Sequence, residues 1–271
     1  MTVLGKRVLT AVALLPLLVG VVLFGKGWPF LLLAGAATIL CAREYFRLFF
    51  PAARDRWFGV AVTGLLYLSG VLLPFPVAAA AMLCCISLAA FPFLAGGEPH
   101  PEKARRVALA ALGAVYIGGF LASYPLTIAL PAGEHWVLLG IVAVFSGDAF
   151  AYFVGKTFGK RPLSPGISPN KTVEGALGGL AAGIVLGSGY GVLFLPGVPL
   201  WYLPLVSAAV EVAGQAGDLF ESLLKRSAGV KDSGILLPGH GGMFDRLDAV
   251  ISAGPVLYLL ALLAPLAGGP G

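Results

Sequence analysis

The chain has little charge. Aspartate, glutamate, lysine and arginine make up 11% of its 271 residues, against about 25% in ordinary soluble domains. So few charges cannot cover the surface of a water-soluble protein this long, so the composition excludes one and implies an integral membrane protein. Cysteine is scarce as well. Cys41, Cys84 and Cys85 sit in or beside apolar runs, and the adjacent pair offers neither zinc spacing nor a loop-closing disulfide framework. They read as small buried hydrophobes. No repeat of fixed period, low-complexity tail or soluble extramembrane domain is evident. The net charge of +5 does not point to nucleic acid, because the basic residues are scattered along loops between apolar spans. Lys6 and Arg7 precede an apolar run as in a signal peptide. No clean small-residue cleavage site follows and the run is long enough to span, so a retained first helix is expected.

What the chain has in abundance is apolar sequence, 58% of its residues. Spans of about 20 apolar residues give nine candidate transmembrane helices: 8–25, 28–42, 57–75, 77–95, 107–130, 136–155, 173–195, 200–221 and 249–267. The second is short and interrupted by Gly35. The expected fold class is therefore all-α, a polytopic membrane protein with about nine helices. Residues 1–130 form an amino-terminal set of helices, and 131–271 form a carboxy-terminal set that contains the charged stretch 222–248. In a nine-span arrangement 17 of the 18 lysines and arginines fall on one side, Lys26 being the exception. The positive-inside rule makes that side cytoplasmic, with the N-terminus inside and the C-terminus outside. The second loop, Arg43 to Arg56, mixes arginine with Tyr45, Phe46, Phe49 and Phe50, which reads foremost as anchoring of helix ends at the headgroup boundary, the alternative being a site that helps gather an anionic lipid.

Polar residues inside spans are costly and are candidates for function. Asp148 lies toward the cytoplasmic end of the sixth span. Glu211, Gln215, Asp218 and Ser222 follow helical spacing along the eighth, so that face must look into protein or a wet cavity. Glu211 and Gln215 also suit plain hydrogen bonding to a neighbouring helix. In the sixth loop Gly155-Lys156-Thr157 lacks the upstream glycine and the strand of a Walker A motif. Ser168, Asn170 or Thr172 is positioned to cap the seventh helix, with Glu174 in its first turn. That helix start, with Lys171 beside it, suits an anion.

Charge is concentrated between Ser222 and Asp248, around Leu237-Pro238-Gly239-His240-Gly241-Gly242, which cannot continue a helix. Lys225, Arg226, Lys231 and Arg246 suit phosphate oxygens, and the glycines let backbone N–H groups approach an anion. Asp245 and Asp248 are three apart on one helix face, a spacing suited to a Mg²⁺ ion that keeps waters and substrate phosphates as further ligands. Polyphosphate chemistry follows as the leading expectation.

These residues carry a family resemblance. Ser222-x-Leu224-Lys225-Arg226, Lys231-Asp232-x-Gly234, Leu237-Pro238-x-His240-Gly241-Gly242 and Asp245-Arg246-x-Asp248 together resemble the signature of the phosphatidate cytidylyltransferases, or CDP-diacylglycerol synthases. The likeness extends upstream through Ser146-Gly147-Asp148, Ser168 to Gly175, and Gly217-Asp218. The first 130 or so residues match only as apolar spans. The resemblance implies an enzyme of a bacterial-type inner membrane, active site facing the cytoplasm, joining CTP and phosphatidic acid into CDP-diacylglycerol and pyrophosphate. It also implies Mg²⁺, a second cation (K⁺), an all-helical homodimer, and a polar cavity open to membrane lipid. Asp218 and Asp245 would be the leading metal ligands, with Asp148 and Asp248 as supporting acids. The lipid phosphate is already an anion, so the reaction needs positioning and charge neutralisation more than a general base. Lys171, Lys225, Arg226, Lys231 and Arg246 are assigned to phosphates, with Ser168, Asn170, Gly241 and Gly242 as further contacts. His240 either binds a phosphate or holds the loop. A polyprenol kinase-like or related nucleotidyltransferase is the alternative, and an ion-coupled transporter a distant one.

Overall fold

Among the described residues the apolar runs form helices, because backbone in hydrocarbon must satisfy its own N–H and C=O groups; most of the expected first span, 8–25, lies outside the described residues. The computed structural model describes residues 16, 18–25, 27–94, 99–234 and 241–265. Residues 18–24 are helical. There follow α1 (Trp28–Phe49), α2 (Ala53–Leu72), α3 (Phe75–Leu94), α4 (His100–Gly113), a π-helical turn (Ala114–Gly119) and α5 (Phe120–Ile128). Then come α6 (Gly133–Phe158), α7 (Val173–Phe194), α8 (Tyr202–Ser227) and α9 (Phe244–Leu262). The body is helical as expected. One departure is an antiparallel hairpin between α6 and α7, formed by β1 (Pro162–Ser164) and β2 (Ser168–Thr172), with Pro162 opposite Thr172 and Ser164 opposite Ser168.

Among the described residues, five stretches are long and apolar enough to cross a membrane: Trp28–Phe49, Phe75–Phe93, His100–Ile128, Gly133–Phe158 and Val173–Phe194. The chain is thus a multi-pass helical protein. The remaining long helices carry charge, with Arg54, Asp55 and Arg56 opening α2 and acids set into α8 and α9.

The expected break after residue 42 does not occur. α1 continues to Phe49, stopping only before Pro51, since nothing between Arg43 and Phe50 disrupts helical hydrogen bonding. Gly35 does not interrupt α1 either; it lets the Tyr67 ring approach, where a Cβ would lie 3.2 Å from Cε1. The aromatic residues of this stretch are also not all at the surface. Tyr45, Phe46 and Phe50 are fully buried, with Tyr45 against Phe244 and Phe50 against Phe93 at centroid separations of 6.0 and 5.3 Å. These rings gain more from aromatic packing in the core than from a headgroup boundary.

Close packing of α6 on α7 sets the frame for the polar residues. Gly175, Gly179, Gly183, Gly187 and Gly191 recur every fourth residue along the buried face of α7. Small residues at that spacing let helix backbones approach, and a Cβ on Gly179 would lie 2.7 Å from the Gly147 carbonyl of α6.

Candidate active site

A cavity of 1160 Å³ opens where the ends of α6, α8 and α9 meet the hairpin. α6 contributes Asp148 and Lys156, β2 contributes Ser168, Asn170 and Lys171, and α8 contributes Gln215, Asp218 and Lys225. Asp232 and Gly241 enter from the loop before α9, and Asp245, Arg246 and Asp248 from its first turns. Residues scattered over 100 positions of sequence are brought to one place.

The hairpin is held at both ends. Thr172 is the cap of α7, its Oγ1 accepting from Gly175 N at 3.1 Å; of the three candidate caps, this one alone directly precedes the helix in extended conformation. Glu174 accepts from the Lys160 and Arg161 amides at 3.0 and 3.1 Å and from Arg161 Nε at 3.0 Å. The hairpin thereby directs Lys171 inward, where its ammonium forms an ion pair with Asp218.

The acids fall into two groups. Asp148, Asp218 and Asp248 come from three helices and line the cavity together, with Lys171 paired to Asp218. Over its whole lining the cavity carries five carboxylates and four cations, the latter being Lys156, Lys171, Lys225 and Arg246. Among the described residues, no three His, Cys, Asp or Glu side chains are grouped closely enough to hold a metal alone. The donor set therefore suits Mg²⁺, which takes one or two carboxylates and completes its octahedron with waters and substrate phosphates.

Asp245 is in different surroundings. Its Oδ1 lies 2.7 Å from Lys225 Nζ, and its carboxylate accepts from Ser233 N at 3.0 Å and Gly242 N at 2.8 Å. Those bonds occupy the carboxylate with folding the loop. Gly241 turns the chain there at φ +82°, a conformation open to glycine, with Asp245 Oδ2 packed close. Lys225 is also committed, with its ammonium 2.7 Å from both Asp245 Oδ1 and the fully buried Glu221 Oε2.

Other expected site residues lie elsewhere. Arg226 donates to the Val230 and Ile167 carbonyls at 3.0 and 3.4 Å, tying the end of α8 to the hairpin turn. Arg226, Lys231 and Gly242 do not line the cavity, and His240 lies outside the described residues. Gln215 Nε2 donates to the Ala176 carbonyl of α7 and to Glu211 Oε1, both at 3.0 Å. Gln215 thus bonds the neighbouring helix while also lining the cavity, and the bond to Glu211 stays within α8.

Glu44 was missed from sequence. It projects from α1, in the amino-terminal half, and is 8% exposed. Its Oε1 accepts from Met243 N at 3.0 Å, and its Oε2 accepts from Phe244 N at 2.8 Å and Ser233 Oγ at 3.0 Å. A carboxylate at the N-terminus of α9 satisfies two orphan amides and complements the helix dipole. Gly234 and Gly242 leave room for it, because a Cβ on either would collide with its carboxylate. Its one sequence signal is that it and Asp55 are the two acids of an arginine-rich stretch. Lys156, set aside with the Walker A-like tripeptide, also lines the cavity, with its ammonium 5.8 Å from the Tyr152 ring centroid.

Fold and cavity together define a multi-pass helical membrane protein whose acids and cations converge in a single large pocket. A model of the cytidylyltransferase family matches residues 5–264, and the chain belongs to that family. It is similar to the phosphatidate cytidylyltransferase of Bacillus subtilis, 47% identical over 131 residues, covering 48% of this chain and 49% of that one. The phosphatidate cytidylyltransferase of Staphylococcus saprophyticus is 38% identical over 57% of this chain and 59% of its own. That of Brucella abortus is 42% identical over 49% of each. The chain thus spans about half the length of the relatives it matches.

Proposed function

We propose that this protein is a phosphatidate cytidylyltransferase, transferring CMP from CTP to phosphatidic acid and releasing pyrophosphate. The supporting observation is the convergence of Asp148, Asp218 and Asp248 with Lys171 and Arg246 in one cavity, in a chain whose relatives bear that name. In the proposed reaction an oxygen of the lipid phosphate attacks the α-phosphorus of CTP. The bond from that phosphorus to the oxygen bridging to the β-phosphate breaks, and pyrophosphate leaves with that electron pair.

Because the nucleophile is already anionic, the protein's work is to hold two repelling anions in line and neutralise charge as it moves to the leaving group. Lys171 and Arg246 face the cavity as phosphate partners, with Ser168 and Asn170 as hydrogen-bonding neighbours. One or two of Asp148, Asp218 and Asp248 would hold Mg²⁺, with waters and substrate phosphates as its other ligands and K⁺ as a second cation. Bound Mg²⁺ would neutralise phosphate oxygens and steady the leaving pyrophosphate. Asp245, Glu221 and Lys225 keep the loop in register beneath them.

The same reading gives nine spans with a cytoplasmic N-terminus, an outside C-terminus and a cytoplasm-facing site, from the distribution of lysine and arginine. It also gives a homodimer in a bacterial-type inner membrane. The test uses membranes containing the protein with CTP labelled at the α-phosphate, phosphatidic acid and Mg²⁺. Label should enter an organic-extractable lipid and be lost with EDTA. Label carried instead from the γ-phosphate would make the enzyme a kinase.

A further inference from the structure

Arg43 and Arg47 are one turn apart on α1, and Arg56 and Trp57 stand in the first turn of α2. With Val60 they line a second cavity, of 280 Å³, which shares no lining residue with the large one. Three arginines line this space, and among the described residues no acid does. The nearby Asp55 is engaged by Arg106 at 2.6 Å. Arg56 is oriented by a hydrogen bond to the Pro51 carbonyl at 3.0 Å, and Arg43 lies 5.4 Å from the Trp57 ring centroid. Like charges gathered without a protein counter-ion repel one another, and an anion in their midst reverses that cost. Planar guanidinium forks fit phosphate oxygens in pairs.

The surroundings indicate which phosphate. Trp57 is exposed, as tryptophans at the headgroup level are. Exposed Ile39 continues the Arg43 and Arg47 face of α1, and exposed Leu65, Leu68 and Leu72 run down α2 from Trp57. A phosphate in the cavity therefore sits at the head of an apolar track suited to acyl chains. Glu44, next to Arg43, grips the loop before α9, so the cavity lies on the same membrane face as the candidate active site.

We propose that Arg43, Arg47, Arg56 and Trp57 form a binding site for the phosphate headgroup of an anionic membrane lipid, apart from the large cavity. The proposal does not depend on the reaction assigned above. Its test is native mass spectrometry of the full-length protein in a zwitterionic detergent, titrated with phosphatidylglycerol or with phosphatidylcholine of matched chains. Wild type should retain phosphatidylglycerol preferentially. The variant R43Q/R47Q/R56Q should bind it roughly tenfold or more weakly, the worth of one or more charge-assisted hydrogen bonds. Its phosphatidylcholine binding should not change. Arg47 is exposed, and among the described residues no hydrogen bond or ion pair holds it, so Arg47→Gln alone leaves the packing of α1 intact and should weaken phosphatidylglycerol binding several-fold. Equal retention of phosphatidylglycerol by wild type and Arg47→Gln overturns the proposal. Saturable binding of inorganic phosphate that Arg47→Gln abolishes, with lipid retention unchanged, overturns it in favour of a soluble phosphate ligand.

Discussion

Glu44 takes three hydrogen bonds from the loop and the first turn of α9, and it does so away from water. Removing it strands three donors, two of them buried, at about 1–3 kcal/mol for each buried one. Glu44→Ala should therefore lower the unfolding temperature in detergent and reduce turnover by at least about tenfold, since 1.4 kcal/mol of lost positioning already amounts to that factor. kcat should fall more than KM rises. Glu44→Gln, which keeps an acceptor oxygen, should recover part of both. Full turnover by the alanine variant would show that the loop holds its shape without this carboxylate.

The division of the acids leads to a second expectation at this scale. Asp148→Asn, Asp218→Asn and Asp248→Asn should each raise the Mg²⁺ concentration needed for half-maximal turnover, because each removes a carboxylate from the group facing the cavity. Asp245→Asn should depress turnover with little change in that concentration, since its oxygens serve Lys225, Ser233 and Gly242. Turnover measured against Mg²⁺ for the four variants separates the two classes. A shift for Asp245→Asn as large as for the others would place it with the cation-holding acids.

At the scale of elements, the hairpin and the α6–α7–α8 contacts set where Lys171 and Asp218 meet. Thr172→Val removes the cap of α7 and should cost about 1 kcal/mol, visible as a lower unfolding temperature. Gly147→Ala is the more damaging change, because its Cβ would collide with the Glu211 carboxylate. Glu211 is 1% exposed and has no open space to swing into. Overpacking of this kind costs about 1–3 kcal/mol and should also weaken turnover, since Asp148 is the next residue. Wild-type stability and turnover in Gly147→Ala would mean that α6 and α8 can separate freely.

The whole molecule offers a topological expectation. In the nine-span arrangement Lys160 faces the cytoplasm and Gly197 the outside. Cysteines introduced at these positions in a cysteine-free background should react with a membrane-impermeant reagent from opposite sides of sealed vesicles. Labelling of both from one side would remove a span between them and break the charge alternation that supports the orientation.

The sequence by itself determined that this chain lives in a membrane, roughly where its helices run, and where its chemistry is concentrated. Those properties are local: apolar length makes a helix in lipid, and charge tolerated within so apolar a chain marks a polar cavity. Lys171, Asp218, Asp245 and Asp248 were legible for that reason. Only the tertiary structure decided how the acids divide, because Asp245 and Asp248 are three residues apart on one helix yet face different partners. It also decided that Arg226 ties the hairpin turn to α8, and that Lys156 reaches the cavity. Glu44 was beyond sequence reading because its partners lie about 190–200 positions away. A carboxylate among arginines has no local sign of being buried; the crossing of α1 beneath the start of α9 gives it one, since burial turns an ordinary surface charge into a strut that the loop's amides require.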